Sequence, residues 1–167
     1  MFSSKEIRWF TQSEDKEISD WFAKRGNSFQ NTGKRTDFYL PLPHKKNIGI
    51  KLREGNVEVK HRIAEPEKGQ LSKNAHGYFE RYTKWSFSTS DDDSLSQKII
   101  HEKQFDWLEV TKERMGFKLK EDSEGNNSIV SIDEFIPYGC QVEYTRIEID
   151  KKIWYSFAIE WFGEKEL

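Results

Sequence analysis

Charged and apolar residues alternate in two neighbouring segments of this sequence, residues 48–53 and 57–62. Their charged positions are Lys51, Arg53, Glu58, Lys60 and Arg62. Because the side chains of a strand point alternately to opposite faces, each segment folded as a strand has one apolar face and one face that carries mainly long cations. Guanidinium and ammonium groups bind phosphate oxygens. The pattern therefore predicts a surface that binds a polyanion.

The same alternation recurs in other segments, and a closed barrel with its apolar faces outside would place all the charged faces around one lumen. The basic residues predicted to line this lumen and bind the substrate are Arg8, Lys51, Arg53, Lys60, Arg62, Lys84, Lys112, Arg114 and Lys118. The acidic residues predicted there are Glu6, Glu58, Glu143 and Glu160. Carboxylates bind Mg²⁺ or Mn²⁺, and such cations often bridge to substrate phosphates. We therefore expect a phosphate-rich small-molecule anion as the partner and Mg²⁺ or Mn²⁺ at the glutamates, with no residue assigned as catalytic.

The elements that must position these residues follow from periodicity and turn residues. Strands are predicted at residues 5–10, 37–40, 48–53, 57–63, 77–87, 108–120, 140–149 and 153–162, with a shorter strand, or a strand and turn, at 129–136. Helices are predicted at residues 14–24, with Thr11 or Ser13 as the N-cap and Gly26 after the end, and from Ser90 to about Gln104. Residues 64–76 are predicted to be a long exposed loop. A turn at Lys151-Lys152 joins the last two strands.

These elements predict an α+β fold, an antiparallel eight-stranded β-barrel or tunnel with a few flanking helices, in a single domain over residues 1–167. A chain of 167 residues can bury a core without disulfides or structural metal. The alternative is an open sheet whose charged faces meet solvent. The two differ in whether the basic residues and Glu160 converge on one cavity.

The overall composition narrows the class of protein. The chain has 27 Lys and Arg residues against 29 Asp and Glu, a net charge of −2, which disfavours general nucleic-acid binding. Cys140 is the only cysteine, so no intramolecular disulfide can form and a reducing compartment is expected. No apolar run approaches the roughly 18–20 residues of a membrane span. We therefore expect a cytoplasmic protein without a membrane partner, whose oligomeric state the sequence leaves open.

Several short motifs occur in an order that is found in a known family. They are Glu6-Ile-Arg8, Arg35-Thr-Asp37-Phe-Tyr39-Leu, Gly49-Ile-Lys51-Leu-Arg53, Val57-Glu-Val-Lys60-His-Arg62 and a late Glu160. Together they resemble the CYTH-like superfamily, also called the triphosphate tunnel metalloenzymes, over most of the chain. The resemblance implies an eight-stranded antiparallel tunnel that binds triphosphate or polyphosphate. Many members of the superfamily also hydrolyse the bound triphosphate or polyphosphate, or form cyclic nucleotides, with a divalent metal.

The resemblance also implies roles for individual residues. Glu6 would keep the first acidic position and Glu160 would supply a late metal ligand. The cations that clamp the substrate would be Lys51, Arg53, Lys60, Arg62 and Arg114. The family's first strand reads Glu-x-Glu-x-Lys, whereas this chain has Glu6-Ile-Arg8-Trp-Phe10. Arg8 therefore replaces a metal-associated carboxylate, which implies weaker metal binding or anion binding without catalysis.

Other candidate motifs favour structural roles. The histidines, which lack paired metal-ligand spacing, are His44, His61, His76 and His101. Cys140 has no histidine near it in the sequence and is predicted to be a core residue. A set of aromatic and basic residues with the composition of a base-stacking surface is Tyr78, Arg81, Tyr82, Lys84 and Trp85. Packing against a helix explains these aromatic residues more simply than single-stranded nucleic acid does.

The sequence thus predicts a protein that binds an anion containing triphosphate or polyphosphate. If the protein is also an enzyme, it is expected to be a phosphohydrolase that hydrolyses this anion with a divalent metal. The alternative is a non-catalytic β-barrel that binds a small ligand or another protein through its aromatic surface. The first hypothesis predicts salt-sensitive anion binding. The second predicts a molecular mass that changes with protein concentration.

Overall fold

The computed structural model describes residues 2–29, 32–53, 55–89, 93–103 and 106–163. This part of the chain forms ten strands and two helices. The strands are β1 (Phe2–Thr11), β2 (Lys34–Tyr39), β3 (Ile48–Arg53), β4 (Asn56–Arg62), β5 (Glu67–Ser72), β6 (Ala75–Ser88), β7 (Leu108–Glu121), β8 (Asn127–Ser131), β9 (Gly139–Ile149) and β10 (Lys152–Phe162). The helices are α1 (Lys16–Ala23) and α2 (Ser94–Ile100).

Eight of the strands close into an antiparallel barrel, which confirms the predicted fold class. Their order is β1-β10-β9-β7-β2-β3-β4-β6, and β6 pairs again with β1. The remaining strands extend the barrel at two places, because β5 pairs with the first part of β6 and β8 with the last part of β7. Closure gives the barrel an inner and an outer face, and alternate residues of each strand lie on one or the other.

The main apolar core lies outside the barrel, between α1 and the outer face of β7, β9 and β10. Phe22 of α1 is fully buried and clusters with Met115, Phe117 and Tyr144. Its ring centroid lies 6.0 Å from that of Phe117 and 6.5 Å from that of Tyr144. The helix therefore covers the apolar side of these strands, and their other side is left to line the lumen.

The N-cap of α1 is Asp15, so the predicted caps Thr11 and Ser13 are wrong. The Asp15 carboxylate accepts hydrogen bonds from the backbone N–H groups of Glu17 and Ile18, which satisfies two donors at the start of the helix. The hydroxyl of Thr11 instead donates to the carbonyl oxygen of Ser13 at 2.8 Å. The Tyr144 hydroxyl accepts from the Asp15 backbone N–H at 2.7 Å, and so it ties the start of the helix to the barrel.

Two connections differ from the prediction. Residues 64–76 are not one long loop, because β5 lies within them and forms a hairpin with β6. Most of β5 is exposed on both faces, so its sequence lacks the apolar alternation that predicts a strand. The last hairpin turns at Asp150 and Lys151, one residue earlier than predicted. Both have positive φ, as a two-residue turn of type I′ requires.

Helix α2 begins later than predicted within the described residues. Its N-cap is Asp93, whose carboxylate accepts from the Ser96 backbone N–H at 3.4 Å. The predicted start, Ser90 with the following aspartates Asp91 and Asp92, lies outside the described residues. The helix ends at Ile100, earlier than the predicted end near Gln104. In the part of the chain that the structure describes, no helix is both long and apolar enough to cross a membrane.

Candidate functional site

The charged residues predicted from the sequence lie on the inner face of the barrel. Lys60 on β4 donates to Glu6 on β1 at 2.7 Å, and Lys84 on β6 donates to Glu160 on β10 at 2.6 Å. Each pair joins two strands that are separated by one other strand, so these side chains meet over the inner face of that strand. The inward positions given by the strand registers include Glu6, Arg8, Lys51, Arg53, Glu58, Lys60, Arg62, Lys84, Lys112, Arg114, Lys118, Glu143 and Glu160.

Cations outnumber acids in this lumen. Among the inward charged side chains that are at least partly buried, as far as the structure describes them, ten are basic and six are acidic. The predicted set is completed by one further basic residue, Arg35, and two further acids, Asp37 and Glu80. The lumen therefore has four more positive than negative charges, although the whole chain is slightly acidic.

Asp37, which is fully buried, lies at the centre of the largest group of cations. Arg53 donates to it twice, from Nε to Oδ1 at 3.0 Å and from Nη2 to Oδ2 at 3.2 Å. Nζ of Lys112 donates to Oδ2 at 3.1 Å. Nε of Arg35 lies 3.2 Å from Oδ1, and Nζ of Lys51 lies 4.0 Å from Oδ2. One carboxylate is thus shared by four cations.

Glu58 is the second acid of this group. Its carboxylate lies 2.8 Å from Nζ of Lys51 and 3.3 Å from Nη1 of Arg53. We call the six residues together the Asp37 cluster; they are Arg35, Asp37, Lys51, Arg53, Glu58 and Lys112. Four positive charges face two negative ones, and the buried Nε of Arg35 makes no hydrogen bond within the described residues. The cluster therefore retains donor capacity for an anion.

The pKa values of the charged lumen residues reflect burial and the charges of their neighbours. Burial lowers the pKa of Lys51 to about 8, and it also lowers the pKa of Lys112. Burial alone would raise the pKa of Asp37, but the neighbouring cations more than offset it and hold this pKa below its usual range. The pKa of Glu160 is lowered to about 2 in the same way, since the charges of Lys84 and Lys60 and the hydrogen bond from Lys84 together outweigh burial. Burial thus disfavours the charges of the two lysines, and the neighbouring cations stabilise the charges of the two carboxylates.

A second group lies on the inner faces of β1, β4, β6, β7, β9 and β10. We call it the Arg8 cluster; its residues are Glu6, Arg8, Lys60, Lys84, Arg114, Glu143 and Glu160. Nη2 of Arg8 lies 3.0 Å from Oε1 of Glu143, and Nη1 of Arg114 lies 3.6 Å from Oε2 of the same residue. The Arg8 cluster contains four cations and three acids, so its charges are nearly balanced.

Two predicted residues lie outside both clusters. Arg62 pairs with Glu80 at 2.7 Å, and the hydroxyl of Tyr82 donates to the same carboxylate at 2.9 Å. Lys118 has an inward position, but its ammonium donates to the backbone carbonyl of Glu134 in the loop after β8. These two cations are therefore held apart from the Asp37 cluster.

The predicted metal ligands do not form a metal-binding group. Glu58 belongs to the Asp37 cluster, whereas Glu6, Glu143 and Glu160 belong to the Arg8 cluster, and each is paired with lysine or arginine. Among the described residues, no three His, Cys, Asp or Glu side chains are arranged to hold a metal ion. This donor set does not fit a divalent cation held by the protein.

Sequence reasoning missed several inward residues. They are Arg35, Asp37, Tyr39, Glu80 and Tyr82. The signal was present, because Arg35-Thr-Asp37-Phe-Tyr39 and Glu80-Arg-Tyr82-Thr-Lys84 have the same two-residue period as the hairpin of β3 and β4. Their importance depends on contacts between strands that are distant in the sequence.

The aromatic set considered for nucleic-acid stacking is split between the two faces of β6. Tyr82 and Lys84 face the lumen, whereas Trp85 has an outward position. The set therefore offers no continuous surface for bases. A surface cavity of about 840 Å³ lies beside the end of β4 and the loop between β2 and β3, and of the lumen residues only Arg62 lines it.

Comparisons with known proteins add no family assignment. No protein-family model matches this chain, and no curated protein matches it. The resemblance to the CYTH-like superfamily therefore stays a prediction. The closed barrel and the charges that line its lumen are the features that bear on function.

Proposed function

We propose that the lumen of this barrel binds a small anion with several phosphate groups, such as tripolyphosphate. The observation that supports the proposal is the excess of cations in the lumen, above all the four that share Asp37. Cations held close together and away from water repel one another, and an anion that enters among them relieves this repulsion. Phosphate oxygens suit guanidinium groups, which bind them through two parallel hydrogen bonds.

The size of the barrel favours a narrow ligand. An eight-stranded barrel encloses a space that is filled by side chains or by one small ligand. In this barrel, lumen side chains already reach one another over an intervening strand, as Lys60 and Glu6 do. An entering anion must therefore exchange with carboxylates for the same cations, and a slender phosphate chain can do so more readily than a bulky ligand.

The proposal is binding, and hydrolysis stays an expectation from the family resemblance. Attack of water on a phosphate is assisted by a base. Three of the lumen carboxylates are poor bases, because their ion pairs lower the pKa values of Glu58, Glu143 and Glu160. Hydrolysis is measured as release of inorganic phosphate by the same protein samples that are used in the binding experiments. The substrates are tripolyphosphate, thiamine triphosphate and ATP, each with and without Mg²⁺ or Mn²⁺.

The first prediction concerns Arg53. We expect R53A to bind tripolyphosphate about 10-fold to 100-fold more weakly than the wild type, because a charge-assisted hydrogen bond contributes about 1.5–3 kcal/mol. Lys112 and Arg35 remain close to Asp37, so the variant keeps its fold. Isothermal titration calorimetry at neutral pH and low salt gives the affinity.

K68A is the control for R53A, since Lys68 is exposed on β5 outside the closed barrel. It also removes one positive charge, and we expect its affinity to equal that of the wild type. Citrate is the control ligand, an anion without phosphate. If R53A and K68A weakened the binding equally, the calorimetric signal would come from general charge attraction, which would contradict a site in the lumen. No binding of tripolyphosphate by the wild type would leave the interaction-module alternative, which light scattering at several protein concentrations tests.

The second prediction is a pH dependence that comes from Lys51. The pKa of its ammonium is about 8 in the free protein, so the group is charged below this pH and loses its charge as the pH rises through it. A bound anion raises this pKa, and affinity therefore falls progressively above pH 8. Arginine at position 51 keeps its charge throughout this range, so the affinity of K51R should fall less than that of the wild type, with Lys112 still titrating. Tripolyphosphate also titrates, but equally for both proteins, so identical pH profiles would contradict the prediction.

A further inference from the structure

The guanidinium of Arg8 occupies the space between carboxylates that come from two strands. Nη2 lies 3.0 Å from Oε1 of Glu143 on β9, and Nε lies 3.8 Å from Oε1 of Glu6 on the same strand as Arg8. Nη1 donates to the hydroxyl of the fully buried Ser156 on β10 at 3.0 Å. All three nitrogens of Arg8 thus lie near inward groups, so its side chain is fixed in one position.

The acids around Arg8 have further partners. Glu143 also accepts a hydrogen bond from Nε2 of Gln141 at 2.8 Å. Glu6 accepts from Lys60, and Glu160 from Lys84. A divalent cation that entered here would have to displace these groups and would lie against four positive charges of the Arg8 cluster. Because like charges repel strongly where water is excluded, this arrangement disfavours a metal ion.

We infer that Arg8 is a built-in counter-cation for Glu6 and Glu143, and that the lumen consequently takes its phosphate chain as the metal-free anion and not as a magnesium complex. The inference rests on the proposed function. Metal-free tripolyphosphate carries more negative charge than its Mg²⁺ complex, and the excess of lumen cations matches this charge. The complex would bring the positive charge of Mg²⁺ close to that of Arg8.

Calorimetry of the wild-type protein with tripolyphosphate, first in EDTA and then with Mg²⁺ in excess over the ligand, tests the inference. We expect tight binding in EDTA and an apparent affinity at least about tenfold weaker with Mg²⁺, because the metal withdraws the free anion. Equal or tighter binding with Mg²⁺ would overturn the inference and leave the proposed function intact. No binding under either condition would instead contradict the proposed function itself.

Variants of Arg8 test its part directly. R8E adds a carboxylate beside Glu6 and Glu143, so we expect weaker binding of the metal-free anion and new binding of Mn²⁺, measured by electron paramagnetic resonance. R8K retains the charge and should retain the preference for the metal-free anion. Circular dichroism checks that both variants fold. If R8E does not fold, the titration of the wild-type protein still tests the inference. Stoichiometric binding of Mn²⁺ by the wild-type protein in the absence of tripolyphosphate would contradict the inference.

Discussion

Replacement of Asp37 by asparagine is expected to reduce the free energy of unfolding by about 3–5 kcal/mol, the usual effect of removing one partner from a buried ion pair. The substitution keeps the size of the side chain and removes its charge. Arg35, Arg53 and Lys112 then lose the carboxylate that they share, while they remain in a lumen with little access to water. Urea unfolding at neutral pH, followed by tryptophan fluorescence, measures the change.

The control for D37N is E109Q, which removes the same charge from an exposed pair. Glu109 lies on β7 and its carboxylate is 3.3 Å from Nζ of Lys103, with both side chains largely in solvent. A surface pair contributes about 0–1 kcal/mol, so E109Q should unfold at nearly the wild-type urea concentration. Equal losses in the two variants would show that Asp37 does not organise the lumen.

D37N also separates stability from binding. In the wild type the proposed anion would compete with Asp37 for the same four cations. Without this carboxylate the cations are free to bind the ligand, so we expect D37N to bind tripolyphosphate more tightly although it is less stable. Weaker binding by D37N would mean that Asp37 is needed to hold the cations in place and would revise this account of the site.

The charged faces could be predicted because they follow from a two-residue period, although the same period also fits the open sheet that was the alternative to a barrel. In β3 and β4 every second residue is charged, and in β10 the small inward residues Ser156 and Ala158 alternate with large outward ones. Such a pattern assigns residues to a face within each strand without any knowledge of the neighbouring strands. The inward positions of the thirteen predicted residues follow from it.

The pairing of the side chains could not be predicted in the same way. Arg8 meets Glu143, and Arg53 meets Asp37, only because the order of the strands brings their inner faces together. No local pattern contains that order. Asp37 was missed as a site residue for this reason, since by itself it is one acid in a short strand that ends before Pro41. Similarly, β5 has no period to find, because most of it is exposed on both faces.

Because the apolar core lies outside the barrel, we expect the second large loss of stability on truncation of Phe22. We expect F22A to lower the free energy of unfolding by about 3–5 kcal/mol, because truncation of a buried phenylalanine removes apolar contacts and leaves a cavity. Phe22 is fully buried between α1 and the outer face of the barrel. F135A is the matched control, since Phe135 is 90% exposed and the same truncation there should change stability very little.

Phe22 also tests whether the two faces of the barrel act independently. Its contacts Met115 and Tyr144 lie on the outer face of β7 and β9, whereas Arg114 and Glu143, the residues next to them in the sequence, face the lumen. Domains of this size retain about 5–15 kcal/mol of stability, so F22A remains largely folded at low temperature. Its calorimetric affinity for tripolyphosphate should then equal that of the wild type, in contrast to R53A and D37N. A parallel loss of affinity in F22A would show instead that the packing of α1 sets the positions of the lumen cations through the strands that both faces share.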